Sequence, residues 1–351
     1  MPTTSLTVDN ELLSATSIEA AKEARDLRHV VTPFLAEHER VHGAGQPSKG
    51  SGHKWVGSFQ TGNHSSPTKR QTGYEQMNLS FSGVLTPMVL TPAEVSYPIG
   101  ISAVEEDLNG GDLQTIELAS RRAKAVMSKA KRDFEKHMLV GGVSQYEDWH
   151  TLNGTDITDG FLEAVNPGSQ NNVIGGFSKA TFSALTGSQN QFFDVGSNFN
   201  GSGLTGIYRT LIKAKARALD DMGGLTVISS EKALENYKRT IQANERYMVM
   251  DNNDQIDGAN MNLLISGIPA YVSTNLGDYS TSGKRHSMVL VDLNAIYVCW
   301  SKVIRDGYFS MSDFENVGNG YNVRVAEILV RGQLWVESFA SSAIIADAET
   351  F

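Results

Sequence analysis

Residues 112–140 read DLQTIELASRRAKAVMSKAKRDFEKHMLV, and this stretch decides how the rest of the chain is parsed. Leu113, Ile116, Ala119, Ala123, Val126, Met127, Ala130, Phe134 and Met138 recur at spacings of three and four, the repeat that lays one apolar stripe along an α-helix. Arg121, Arg122, Lys124, Lys131 and Asp133 fill the other faces. Asp112 suits the N-cap, where a short side-chain oxygen accepts an otherwise orphaned backbone N–H, and Gly141 with Gly142 supplies the stop. Such a helix spans about 40 Å at about 1.5 Å per residue. That is long for a globular helix and suits a structural spine.

Working outward toward the N-terminus, Pro98, Ile99, Gly100, Ile101 and Ser102 form a strand-like run that leads into Glu105, Glu106 and Asp107, the densest acidic cluster in the chain. Further back, Lys54–Phe59, Met77–Leu90 and Ala93–Ile99 have strand character, and a basic, turn-rich tip, Gly62 to Arg70, separates the first two. Residues 54–93 therefore read as a long hairpin with little to bury against in its own chain. An isolated two-stranded ribbon is marginal in water, so it is expected to lie on a neighbouring subunit. Its tip ends in Lys69 and Arg70, which pair naturally with the Glu105, Glu106 and Asp107 cluster of the next copy. Residues 1–53 are polar and punctuated by Gly43, Gly45, Pro47, Gly50 and Gly52, with one helical stretch near Ile18 to His42. They read as an arm without a core.

Toward the C-terminus a loop-rich passage, 144–203, precedes a second amphipathic helix from Leu204 to about Met222. A buried strand at Leu225–Ile228 follows, then a helix capped by Ser229 or Ser230 and carrying Ala233, Leu234, Tyr237 and Ile241. Strands are expected at Leu263–Ile265, Ala270–Ser273, Met288–Val291, Ala295–Trp300, Val323–Val330 and Gln333–Phe339. Helices and strands mix without a βαβ repeat, which makes the fold class α+β.

With 351 residues the chain is long enough to bury sizeable cores. The 30 basic and 39 acidic residues give a net charge of -9, which argues against a large nucleic-acid-binding face. Cys299 is the single cysteine, set in the apolar run Val298, Cys299, Trp300, and reads as a small buried hydrophobe. No basic and apolar leader precedes Glu11, and no apolar run is long enough to cross a bilayer, so the chain is read as made and kept in the cytoplasm.

The order of these parts resembles the tailed-bacteriophage major capsid protein family, with its Hong Kong 97-type coat fold. Pro98 to Ser102 followed by Glu105 to Leu108 resembles the family's strand and acidic turn before a spine helix that ends in a glycine pair. Leu263, Leu264, Ile265, Ser266, Gly267, Ile268, Pro269, Ala270, Tyr271 and Val272 resemble a strand motif of the family's axial domain, followed by a stretch like Val289 to Asp292. The resemblance covers about the whole chain. It implies an N-terminal arm at 1–53, an extended β-hairpin loop at 54–93, a peripheral domain at 94–222 and 319–351, and an axial domain at 223–318. It further implies a non-enzymatic coat protein without cofactors, assembling into hexamers and pentamers of an icosahedral head around double-stranded DNA that it does not grip. Portal and decoration proteins are the implied partners, no membrane is involved, and the place of residence is the virion after assembly in the host cytoplasm. Some members fuse a scaffolding segment ahead of the arm; the short 1–53 segment implies a separate scaffolding protein. Some members also cross-link a lysine of the extended loop to a neighbour's asparagine, which draws attention to Lys69 and to Asn316, Asn319 and Asn322; a solvated loop-tip lysine is the reading adopted.

Two alternatives stand beside this reading. One is an encapsulin-like nanocompartment shell of the same fold. The other is a zinc metallopeptidase, because His38, Glu39, Arg40, Val41, His42 is a literal His-Glu-x-x-His, which on a helix places two ligands on one face and a general base between them. Arg40 between the ligands, the immediate Gly43, Gly45 and Pro47, and the polar setting favour a solvated helix in which His38→Ala leaves stability nearly unchanged. The run Asp251 to Gly258 fails the spacing of a calcium loop, since Asn262 stands where a glutamate is needed, and reads as a polar loop tip.

Overall fold

The computed structural model describes residues 32–45, 48–49, 52–62, 83–108, 112–152, 161–162, 173–179, 181–182, 189–195, 201–218, 224–244, 263–276, 286–302, 307–318 and 321–346. Its described helices are α1 (Pro33–His42), α2 (Ala103–Leu108), α3 (Asp112–Val140), α4 (Gly201–Lys215) and α5 (Glu231–Asn244). Helix α3 has the bounds its periodicity predicts. It stops where Gly141 and Gly142 take φ of 78° and 73°, and the Gly141 N–H closes the last turn on the His137 carbonyl at 2.8 Å.

The long helix lies on one face of a six-stranded sheet. Ala93–Ser102 alternates buried and exposed residues, so Ala93, Val95, Tyr97, Ile99 and Ile101 face inward while Glu94, Ser96, Pro98 and Gly100 face out. It runs antiparallel to Tyr321–Val336, from Ala93 opposite Gly332 to Ser102 opposite Val323. The far edge of Tyr321–Val336 takes Glu315–Gly318, Ser310–Met311 and Ile296–Ser301 in turn. Sequence periodicity expects two strands here, yet the chain runs through as one. At Gly332 a Cβ would lie 2.3 Å from the Cys299 carbonyl oxygen, so the missing side chain lets the strands close up instead of breaking them.

A second six-stranded sheet has the spatial order Gln191–Asp194, Ala343–Ala346, His286–Asp292, Leu225–Ser229, Ile268–Val272, Leu263–Ile265. Helices α4 and α5 cover one face through Ile207, Leu211, Ala214, Leu234 and Tyr237. Its other face, including Ile228, Val289, Val291 and Ile344, joins the core beneath α3. The edge hairpin turns on Ser266 and Gly267, both with positive φ (57° and 79°), which is the geometry of a two-residue turn matched to strand twist. Ser230 caps α5, its Oγ accepting the Ala233 N–H at 3.3 Å.

Strand pairing cuts across the boundaries expected at 222/223 and 318/319. Gln191–Asp194 and Ala343–Ala346, with α4 beside them, belong with the second sheet, whereas Ile296–Ser301 pairs into the first. The apolar runs of both sheets are alike in composition, so periodicity alone does not say which sheet a strand joins.

The expected hairpin forms, with Trp55–Gln60 antiparallel to Leu85–Leu90. Its base is not free of its own chain, however. Trp55, Met88 and Leu90 are buried, Phe59 lies 4.6 Å from the Phe177 ring, and Gly57 sits so close to the Trp335 indole that a Cβ would be 2.8 Å from it. The two strands alternate, and their inward residues found a core the isolated ribbon lacks. Lys69 and Arg70 lie outside the described residues.

Candidate functional site

Helix α1 holds the His-Glu-x-x-His stretch, and it is a packed element, not the solvated one expected. Phe34, Leu35 and His38 are almost wholly buried against α3 and the Ile296–Ser301 strand. The Val298 N–H donates to His38 Nε2 at 3.1 Å, and His42 Nε2–H donates to the Leu293 carbonyl at 2.7 Å. Burial, with the neighbouring His42 adding to it, pushes the His38 imidazole down to about 3, so it stays neutral. Its Nε2 lone pair is then occupied by a backbone donor. Glu39 turns to Lys131 at 3.4 Å, and no group of three metal-ligating side chains converges among the described residues. The arrangement fastens a helix to a strand; it does not open a ligand triad.

The other end of α1 is fastened by a residue that the sequence reading passed over. Glu135 on α3 is fully buried, and its Oε1 and Oε2 accept the backbone N–H groups of Phe34 and Leu35 at 2.9 and 3.0 Å. These are among the donors that a helix start leaves orphaned, and a carboxyl placed there meets both the hydrogen-bond deficit and the positive end of the helix dipole. Burial nevertheless dominates and raises the carboxyl to about 8, the two N–H bonds pulling the other way. Position 135 adjoins Phe134 on the apolar stripe, a signal that charge alone conceals.

The acidic cluster is divided. Glu105 Oε2 accepts the Ser102 N–H at 3.0 Å while the Glu105 N–H reaches Ser102 Oγ at 3.3 Å, a capping box written in the sequence as Ser102-Ala103-Val104-Glu105. Arg122 on α3 then grips the same carboxylate with both nitrogens, at 2.9 and 2.8 Å, and also donates to the Gly100 carbonyl. The Arg122 hydrogen bonds come first in holding the Glu105 carboxyl below its ordinary value, against the opposing effect of burial. Glu105 thus ties α2 to α3 and the end of the Ala93–Ser102 strand. It cannot serve as an open landing point for a neighbour's cation, whereas Asp107 is exposed. Asn316 and Asn322 are exposed as well, and the Asp251 to Gly258 run lies outside the described residues.

No protein-family model matches the chain, and no curated protein resembles it in sequence. Solved structures do resemble it in shape. A cyanophage A-1(L) capsid subunit matches with a TM-score of 0.61 at 13% identity, over 95% of this chain and 98% of that one. The chain has the Hong Kong 97-type capsid fold. The capsid of a native GTA particle follows at TM-score 0.56 and 12% identity, over 95% and 98% of the two chains. An encapsulin of Synechococcus elongatus matches at TM-score 0.53 and 11% identity, over 95% and 94%. At such identities the shared property is backbone architecture, which explains why residue patterns carry the capsid fold only through their order.

Within this capsid fold the described residues supply surfaces and fastenings. Cys299 is buried in a central strand. Of the strongly shifted groups, Glu135 and His38 face backbone amides and anchor the segment that enters the fold at Thr32, while the Tyr146 and Tyr297 hydroxyls, raised by burial, meet the Tyr97 hydroxyl and the Glu337 carboxylate.

Proposed function

We propose that the chain is a shell-forming coat protein, the major capsid protein of a tailed bacteriophage, building hexamers and pentamers of an icosahedral head around double-stranded DNA. The observation that carries the reading is the structural match that spans 95% of this chain and 98% of a cyanophage capsid subunit. The ionisable groups fit it, since the buried Glu135 and His38 bind backbone and the net charge of -9 suits a wall that must not grip packed DNA. In this reading the α3 sheet is the peripheral unit, the α4–α5 sheet the axial one, and residues 54–93 the extended loop. Partners would be other copies, a separate scaffolding protein, a portal and decoration proteins, with assembly in the host cytoplasm.

A nanocompartment shell is the second reading, favoured by the encapsulin match. Electron microscopy of the purified, concentrated chain tests both. Closed particles are expected, and a chain that stays monomeric under every assembly condition, scaffold included, overturns both. Particles that package protein cargo without a portal would select the second.

A further inference from the structure

Beside α3 runs a groove of about 480 Å³ that neither shell reading uses. Its floor is apolar, formed by Met127 and by Met311, which is 39% exposed on the Ser310–Met311 strand. Its rim is basic, with Lys124, Lys131 and Arg132, and no acidic side chain lines it among the described residues. Lys131 reaches Glu39 at 3.4 Å just outside, while Lys124 stands exposed. In a chain of net charge -9, cations around a methionine floor select an acidic segment that carries apolar side chains.

The chain itself contains such a segment and delivers it to this place. Thr32, where the described residues begin, forms part of the groove wall. Upstream of it, residues 9–23 read DNELLSATSIEAAKE, with Asp9, Glu11, Glu19 and Glu23 against a single Lys22, and with Leu12, Leu13 and Ile18 as apolar anchors. The residues between Glu23 and Thr32 span up to about 30 Å when extended, enough to reach any part of the groove. We propose that the groove formed by α3, Thr32 and Met311 is the docking site for residues 9–23 of the same subunit, leucines on the methionines and carboxylates on the lysine rim.

The test uses the full chain with Leu13→Cys and Met311→Cys, in which the native Cys299 is wholly buried and stays out of the reaction. Mild air oxidation is expected to give an internal disulfide, seen as faster migration on a non-reducing gel and as a linked peptide by mass spectrometry. Adding Lys124→Glu should slow its formation about three- to tenfold, as should high salt. A Leu13→Cys, Leu264→Cys chain, with the second thiol on an exposed site of the other sheet, sets the background. Cross-linking no faster than that background overturns the proposal. So does a disulfide between two chains, which would make a second copy the occupant. Neither result depends on shell formation, so failure here is distinct from failure of the coat-protein reading.

Discussion

Glu135 Oε1 accepts the Phe34 N–H at 2.9 Å across a separation of 101 residues, so the long helix holds the start of α1 by a buried carboxyl group. With Glu135 Oε2 on the Leu35 N–H, and with His38 under the Val298 N–H, the segment entering the fold is fixed at both ends by groups that water does not reach.

Glu135→Ala leaves two buried N–H groups without acceptors and a cavity between helices, which should lower stability by about 2–4 kcal/mol in denaturant unfolding. The sign of the pH effect follows from the raised carboxyl. Against an ordinary 4.5 it titrates at about 8 in the fold, so its contribution is fully present below 4.5 and is lost as pH rises through about 8. Unfolding curves of the native chain should therefore weaken toward alkaline pH relative to Glu135→Gln, which cannot titrate. Parallel pH profiles for the two proteins would refute the assignment.

His38 gives the opposite slope. Its imidazole, held near 3 instead of 6.5, contributes stability above 6.5 that is lost as pH falls through about 3, because charging it ejects the Val298 N–H from its only free lone pair. His38→Ala should cost about 2–3 kcal/mol through the orphaned N–H and the cavity, contrary to the neutral outcome expected for a solvated helix. His38→Gln, which keeps an acceptor and does not titrate, should flatten the acid limb. Thermal unfolding between pH 3 and 7 measures both effects.

Legibility in the sequence followed the range of the interaction. The α3 bounds, the Ala93–Ser102 alternation and the Trp55–Leu90 ribbon arise from neighbours three, four or two residues apart, and each was readable at that spacing. The sheet that a strand joins is a long-range choice, and the pairing of Ile296–Ser301 into one sheet and of Ala343–Ala346 into the other was not legible for that reason. Glu135 and His38 were hidden the same way: a charged or polar residue near an apolar stripe looks solvated until the amide it binds, from a distant segment, is brought to it. Glu105 was a nearer miss, since Ser102-x-x-Glu105 spells a capping box that the acidic run Glu105 to Asp107 overshadowed.

The Glu105 and Arg122 pair should behave as a unit. Their side chains are only 11% and 23% exposed, and each carries further bonds to Ser102 and to the Gly100 carbonyl. Arg122→Ala and Glu105→Gln are each expected to destabilise the subunit by about 1–3 kcal/mol, and the double variant by clearly less than their sum. A double-mutant cycle in urea gives the coupling, and additive effects would show that the two groups act separately. The depressed Glu105 carboxyl makes this contribution present above its ordinary 4.5 and lost as pH falls below it.

The last expectation concerns the loop tip and is sharpened by that pair. If the extended loop clamps a neighbouring copy, Lys69 and Arg70 need an acidic surface, and with Glu105 engaged by Arg122 the exposed Asp107 becomes the side chain of choice. A single exposed ion pair is worth only about 0–1 kcal/mol, yet a closed shell repeats it at every subunit and a small loss per contact shifts assembly steeply. Lys69→Glu with Arg70→Glu should raise the concentration needed for particle formation while leaving the subunit's unfolding midpoint unchanged, because the tip lies far along the chain from the buried base at Trp55, Met88 and Leu90. Asp107→Lys in the same chain should restore part of the lost assembly by reversing the pair. Light scattering across a salt series reads all three proteins. Assembly of the reversed-charge tip at the native concentration and salt dependence would remove the tip from the contact, and failure of Asp107→Lys to rescue would move its landing site elsewhere on the neighbour.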